Sequence, residues 1–154
     1  MGVIAVFFSM LLSYNVGAVE IASCSNPKGT VYFPELGVVT KKDSGWKSDK
    51  ISGGITKLSK IGKDDFDILY FDSTNRITSS KESGATILPL SKGKNNISIL
   101  VIYPGAVAEV YSFIKNNSGT LEYTHVANKG GDAVLIPKSS LMRGECQVIN
   151  FDLI

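Results

Sequence analysis

Ile97-Ser98-Ile99-Leu100-Val101-Ile102-Tyr103-Pro104-Gly105-Ala106-Val107-Ala108-Glu109-Val110-Tyr111-Ser112-Phe113-Ile114-Lys115 reads as two strands and the tight turn between them. Both runs are rich in β-branched and aromatic residues, which favour a pleated surface. Pro104 and Gly105 hold the second and third positions of the connection. That is the demand of a type II turn, with Gly taking the positive φ. The first run is apolar on both faces, and the second nearly so apart from Glu109 and Ser112, so both are expected to be covered on each side. The two runs therefore predict an antiparallel hairpin at the centre of a β fold.

The pattern repeats outward from that hairpin. Short apolar runs recur every 10 to 15 residues between Gly, Asn, Asp, Ser and Pro, the spacing of an all-β sandwich or barrel. Strands are predicted over residues 30–36, 51–60, 66–72, 85–90, 97–103, 107–115, 120–127, 133–137 and 141–149. No stretch after Val19 shows a helical period over eleven residues. Asn117-Ser118-Gly119 suits a type I turn closed by a left-handed Gly. Gly130-Gly131-Asp132 predicts a bend. Gly53-Gly54 predicts a bulge or the close approach of another backbone. Over 120–127, Thr120, Glu122 and Thr124 face one way and Leu121, Tyr123 and His125 the other, so this strand has one wet face. The expected fold is an all-β antiparallel meander of eight to nine strands, a closed barrel or a two-sheet sandwich. A barrel of this size either fills with side chains or holds one small ligand.

The N-terminal residues differ in kind. From Val3 to Leu12 the chain is apolar apart from Ser9, and no charged side chain precedes Glu20. That run is shorter than the roughly 20 residues a membrane span needs and fits the apolar core of a secretory signal. Val16-Gly17-Ala18 supplies the small residues of a cleavage site. Residues 1–18 are read as a signal peptide and 19–154 as a single all-β domain. No Lys or Arg stands ahead of the apolar run, so the signal is atypical or begins upstream of Met1. The chain has two cysteines. In an exported protein, Cys24 and Cys146 are expected to pair, because oxidising compartments make and keep such bonds. Ile21-Ala22-Ser23-Cys24 also resembles a lipobox, which would make Cys24 a lipid anchor. Glu20 and the stranded Cys146 speak against it. The expected location is periplasmic or extracellular.

Composition and motifs exclude more than they assign. The formal charge is only +2, with arginine at just two positions, Arg76 and Arg143. Specific nucleic-acid sites favour Arg forks and interleaved aromatics, so no nucleic-acid partner is expected. Lys41, Lys42, Lys47, Lys50, Lys57, Lys60 and Lys63 read as a solvated, aggregation-resistant edge. No Gly-x-Ser-x-Gly elbow serves His125, the single histidine. Asp64-Asp65 reads as a turn before a strand, and the acidic cluster lacks calcium-loop spacing. With one His and paired cysteines, zinc has no ligand set. No cofactor, metal or catalytic residue is assigned.

The chain resembles a group of small exported bacterial proteins, mainly proteobacterial, of unknown function. The similarity runs through Trp46, Asp49-Lys50-Ile51-Ser52-Gly53-Gly54, Phe66-Asp67-Ile68-Leu69 and Asp72. It continues through Tyr103-Pro104-Gly105, Glu109, Tyr111 and Phe113, then Gly130-Gly131-Asp132, Lys138, Leu141, Gly144 and Cys146. The resemblance implies export and a single domain, and it brings no activity or ligand.

Glu109 is the residue most in need of explanation. It alternates with Val107, Tyr111 and Phe113, opposite a smaller face of Ala108, Val110, Ser112 and Ile114. If the aromatic face is the interior, Glu109 is a carboxylate in an apolar wall and must be paired, protonated or wetted. Arg143 and His125 are the expected partners. If that face is partly exposed, Glu109 simply meets water. Tyr103, Glu109, Tyr111, His125 and Arg143 are accordingly the candidate binding residues. The leading expectation is a non-catalytic envelope or secreted module that binds a small ligand or an envelope or protein partner. The alternatives are a hydrolase acting on an envelope polymer or small ester, and an inhibitor or immunity-type protein-binding domain. A large, partly apolar cavity with converging polar groups favours a ligand. A filled interior with an exposed apolar patch favours a protein.

Overall fold

The structure, a computed structural model, describes residues 17–71 and 76–154. The expected signal peptide, residues 1–18, lies outside the described residues apart from its last two positions. Among the described residues, ten strands form one antiparallel sheet: β1 (Val19–Phe33), β2 (Gly45–Lys50), β3 (Ile55–Gly62), β4 (Asp65–Phe71), β5 (Ile77–Ser79), β6 (Thr86–Lys92), β7 (Asn96–Tyr103), β8 (Val107–Lys115), β9 (Leu121–Lys129) and β10 (Lys138–Ile149). Their order is β5-β4-β3-β1-β10-β9-β8-β7-β6, with β2 beside β1. The sheet curls into a half-barrel. The two edges approach where β6 passes β4, and Lys92 pairs with Asp64 across the gap.

The expected all-β antiparallel fold is present, and five elements differ from the reading of the sequence. A single long strand, β1, replaces the short one expected over 30–36. Its first half carries β3 and its second half β2, with β10 running along the other edge. It survives Asn26-Pro27 through a bulge at which the register shifts between Ser25 and Lys28. Asn26 takes φ 51°, a left-handed conformation that Asn tolerates. At a bulge, the N–H that Pro27 lacks is not missed. The strand expected over 51–60 starts only at Ile55, because residues 51–54 turn and tie to that bulge. Asn26 donates its backbone N–H to the Gly54 carbonyl at 2.9 Å, and its side chain accepts from the Gly53 N–H at 2.9 Å. The close backbone approach expected at Gly53-Gly54 is this contact. Residues 133–137 form no strand. Gly130 and Gly131 bend the chain, Val134 N–H closes a turn onto the Gly131 carbonyl, and the apolar run continues as an irregular loop. Strands β2 and β5 complete the sheet at positions where none was expected.

A further difference concerns coverage. On β7, Ile97, Ile99 and Val101 are fully buried, while Leu100 and Ile102 on the convex face are half-buried. The hairpin is thus covered on its concave side only. The concave core joins Ile21, Ala22, Leu58, Phe66, Ile68, Ile97, Ile99, Val101, Phe113 and Tyr123. At one end of the trough Asn150 caps a short 3-10 turn over Phe151–Leu153, and Phe151 and Ile154 pack onto the core. Lys60 holds that turn by donating from Nζ to the Leu153 carbonyl at 2.8 Å. Among the described residues, no such turn closes the far end of the trough.

Cys24, fully buried, and Cys146, half-buried, stand directly opposed on β1 and β10 and form a disulfide. With its sulfur in that bond, Cys24 has no thiol left for a lipid. The bond suggests a location outside the reducing cytoplasm. Among the described residues, no helix is long and apolar enough to cross a membrane. The hairpin turn has the expected geometry: Gly105 takes φ 74°, and Ala106 N–H donates to the Tyr103 carbonyl at 3.0 Å. Nothing lies within 4 Å of a Cβ placed there, so a substitution meets backbone strain alone. Gly105→Val should therefore cost about 1–2 kcal/mol in urea unfolding, and Gly105→Asn clearly less. Equal losses would exclude a turn-specific requirement.

Candidate functional site

Alternation along β8 and β9 builds the site. Phe113, Tyr111 and Glu109 follow one another on the concave face of β8, and Tyr123 and His125 do so on β9. Burial relaxes along this line: Phe113 is fully buried, Tyr111 is 6% exposed, and the Glu109 side chain is 18% exposed. The dry core thus grades into a polar floor towards that far end. There the trough encloses a cavity of about 730 Å³, within the range typical of small-molecule sites. Its floor carries Thr56, Tyr70, Tyr103, Glu109, Tyr111, Tyr123 and His125. Its mouth is framed by Ile51, Leu135 and Ile136, all exposed apolar residues.

Glu109 sits at the centre of the polar groups. Tyr111 Oη donates to Glu109 Oε2 at 3.0 Å. His125 Nε2 lies 3.5 Å from Glu109 Oε1, within ion-pair distance. That nitrogen is buried and has no hydrogen-bond partner. Tyr111 and His125 face each other across the β8–β9 ladder and stack, with ring centroids 4.4 Å apart and planes 15° apart. Behind them the Tyr123 hydroxyl lies 3.3 Å from Thr56 Oγ1. Gly144 makes room for the Tyr123 ring, since a Cβ there would stand 2.3 Å from it.

Of the five candidates read from the sequence, Tyr103, Glu109, Tyr111 and His125 converge on this cavity, and Arg143 does not. On β10, Met142 pairs with His125, Gly144 with Tyr123, and Cys146 with Cys24, all on the concave face. Arg143 falls between them and points to the convex side. There its Nε donates to Glu122 Oε2 at 2.6 Å. The expected Glu109–Arg143 pairing is thereby corrected, and Glu109 has His125 and Tyr111 as neighbours. Thr56, Tyr70, Tyr123 and the loop over 133–136 were not among the candidates. Tyr123 was legible, because it shares the alternation of His125. The loop was not, because an apolar run does not reveal that it frames a cavity.

Tyr103, Tyr111 and Tyr123 keep their protons well beyond neutrality. Burial, above all, pushes the Tyr103 hydroxyl up to about 12. Burial first, and then the charge and hydrogen bond of Glu109, hold Tyr111 well above its ordinary value. Burial also raises Tyr123. All three therefore serve as neutral hydroxyls. A folded value raised above the unfolded one of about 10 gives stability that is complete below pH 10 and lost as pH rises through the folded values. Unfolding free energy should fall between pH 10 and about 12, less steeply in Tyr103→Phe. Identical declines in the two proteins would show that Tyr103 titrates as if exposed.

Among the described residues, no group of three His, Cys, Asp or Glu side chains is placed to hold a metal, and no Ser, Thr or Cys side chain hydrogen-bonds to His125. The arrangement offers recognition: one carboxylate, one imidazole and several neutral hydroxyls above an apolar mouth. The chain matches no family model, no curated protein and no solved structure, so its own geometry carries the functional reading.

Proposed function

We propose that this protein is a non-catalytic, small-molecule-binding β domain of the cell envelope or the extracellular space, exported by the signal read over residues 1–18. The cavity of about 730 Å³ is the observation that carries the binding function. It combines apolar walls with a few converging polar groups, as ligand sites do. The disulfide supports export, and so does the leader-like N-terminal sequence. Protein purified from its own compartment should retain a small molecule in a native mass spectrum. A spectrum showing only the bare chain, together with no binding from extracts of that compartment, would contradict the proposal.

A second reading rests on the convex face. Leu88, Leu100, Val110, Val126 and Leu141 stand in register across β6 to β10. Leu88, Val126 and Leu141 in this apolar row are exposed. Such a row favours a protein partner of the inhibitor or immunity kind. The same native spectrum separates the two readings, because a bound protein adds a mass of kilodaltons and a small ligand does not.

A further inference from the structure

Among the described residues, Glu109 is the only carboxylate that lines the cavity, and its neighbours leave it half satisfied. Oε2 accepts from Tyr111, whereas Oε1 lies near His125 Nε2 without a hydrogen bond between them. When His125 is uncharged, the described residues of the inner cavity carry one negative charge and no positive one. A partly desolvated carboxylate with only neutral partners is unfavourable and gains most from a cation brought to it. The surrounding rings of Tyr70, Tyr103, Tyr111 and Tyr123 suit the same visitor, since aromatic faces attract organic cations. Lys129, the other charged residue lining the cavity, is exposed at the mouth, where water and salt screen it.

Resting on the reading of this cavity as a binding site, we propose that its ligand class is the small organic cation. The ligand carries a protonated or quaternary amine on an apolar body. The nitrogen lies against Glu109 among the tyrosine rings, and the apolar part extends toward Ile51, Leu135 and Ile136 at the mouth. Charge selects the inner end, and apolar contact holds the outer one.

Three probes of one shape and three charges test the assignment: phenethylamine, 2-phenylethanol and 3-phenylpropanoate. Each is titrated by calorimetry into the full chain after exhaustive dialysis at mildly alkaline pH. The amine should bind at least about tenfold more tightly than the alcohol, the size of a charge-assisted hydrogen bond, and the carboxylate more weakly than the alcohol. Glu109→Gln should erase the advantage of the amine and leave the alcohol within about twofold, which also shows that the cavity is intact. Equal binding of all three, or preference for the carboxylate, overturns the cation assignment and leaves the binding-site reading standing. Binding of none overturns both.

Discussion

Cys146→Ser should destabilise the domain by about 4–5 kcal/mol, the largest effect we expect from any single change. The bond joins residues separated by 122 positions, so it restricts nearly the whole unfolded chain of the domain, and loop-closure entropy grows with that length. Both sulfurs lie on the concave face between β1 and β10, the pairing that joins the β3–β5 and β6–β9 arms of the sheet. The backbone ladder on either side remains when the bond is lost, so the far-ultraviolet spectrum should keep its β shape at low temperature. Urea unfolding followed by circular dichroism measures both. A loss below about 1 kcal/mol would mean that the crosslink restricts little, and a changed spectrum would mean that the ladder depends on it.

Gly29→Ala is the second large expectation. Gly29 pairs with Met142 on one side and Asp49 on the other, just past the Asn26-Pro27 bulge. A Cβ on Gly29 would stand 2.0 Å from the Leu141 carbonyl oxygen and 2.9 Å from the Met142 Cα. Both are backbone atoms of β10, and no rotamer change can move them. Accommodation requires β1 and β10 to separate at the bulge, at the expense of ladder hydrogen bonds. We expect a loss of about 3 kcal/mol in urea unfolding, at the upper end of overpacking effects. Ser48→Ala on exposed β2 should stay within about 0.5 kcal/mol as the control. Near-equal stabilities would mean that the strands do not approach so closely at Gly29.

The contrast between these positions and the hairpin shows what the sequence reveals. Strands β7, β8 and β9 are legible because alternation and turn chemistry agree. Pro104-Gly105 sets one connection and Gly119, at φ 84°, the next. Strand β1 is hidden because Asn26-Pro27 reads as a breaker, while the tertiary contact to Gly53-Gly54 turns it into a bulge. Strand β2, with Trp46 and Lys47 exposed, has no buried face to impose alternation. The apolar runs Leu100–Ile102 and 133–136 mislead for one reason: hydrophobicity does not say what it is packed against. In the first, residues of the convex face stay half-exposed, and in the second an irregular loop frames a cavity. Arg143 was within reach. Once Cys146 faces inward, the period of two places Gly144 and Met142 inside and Arg143 outside. The convergence of Thr56 and Tyr70 with Glu109 was beyond reach, since it depends on how far the sheet curls.

A high-resolution crystal structure of the protein purified from its own compartment decides whether the concave cavity is a binding site. A small molecule should occupy that cavity, in contact with Glu109, Tyr111 or His125, between walls formed by Tyr70, Tyr103 and Tyr123. A cavity filled by the protein's own side chains, or a partner held only on the convex row of Leu88, Leu100, Val110, Val126 and Leu141, would contradict it.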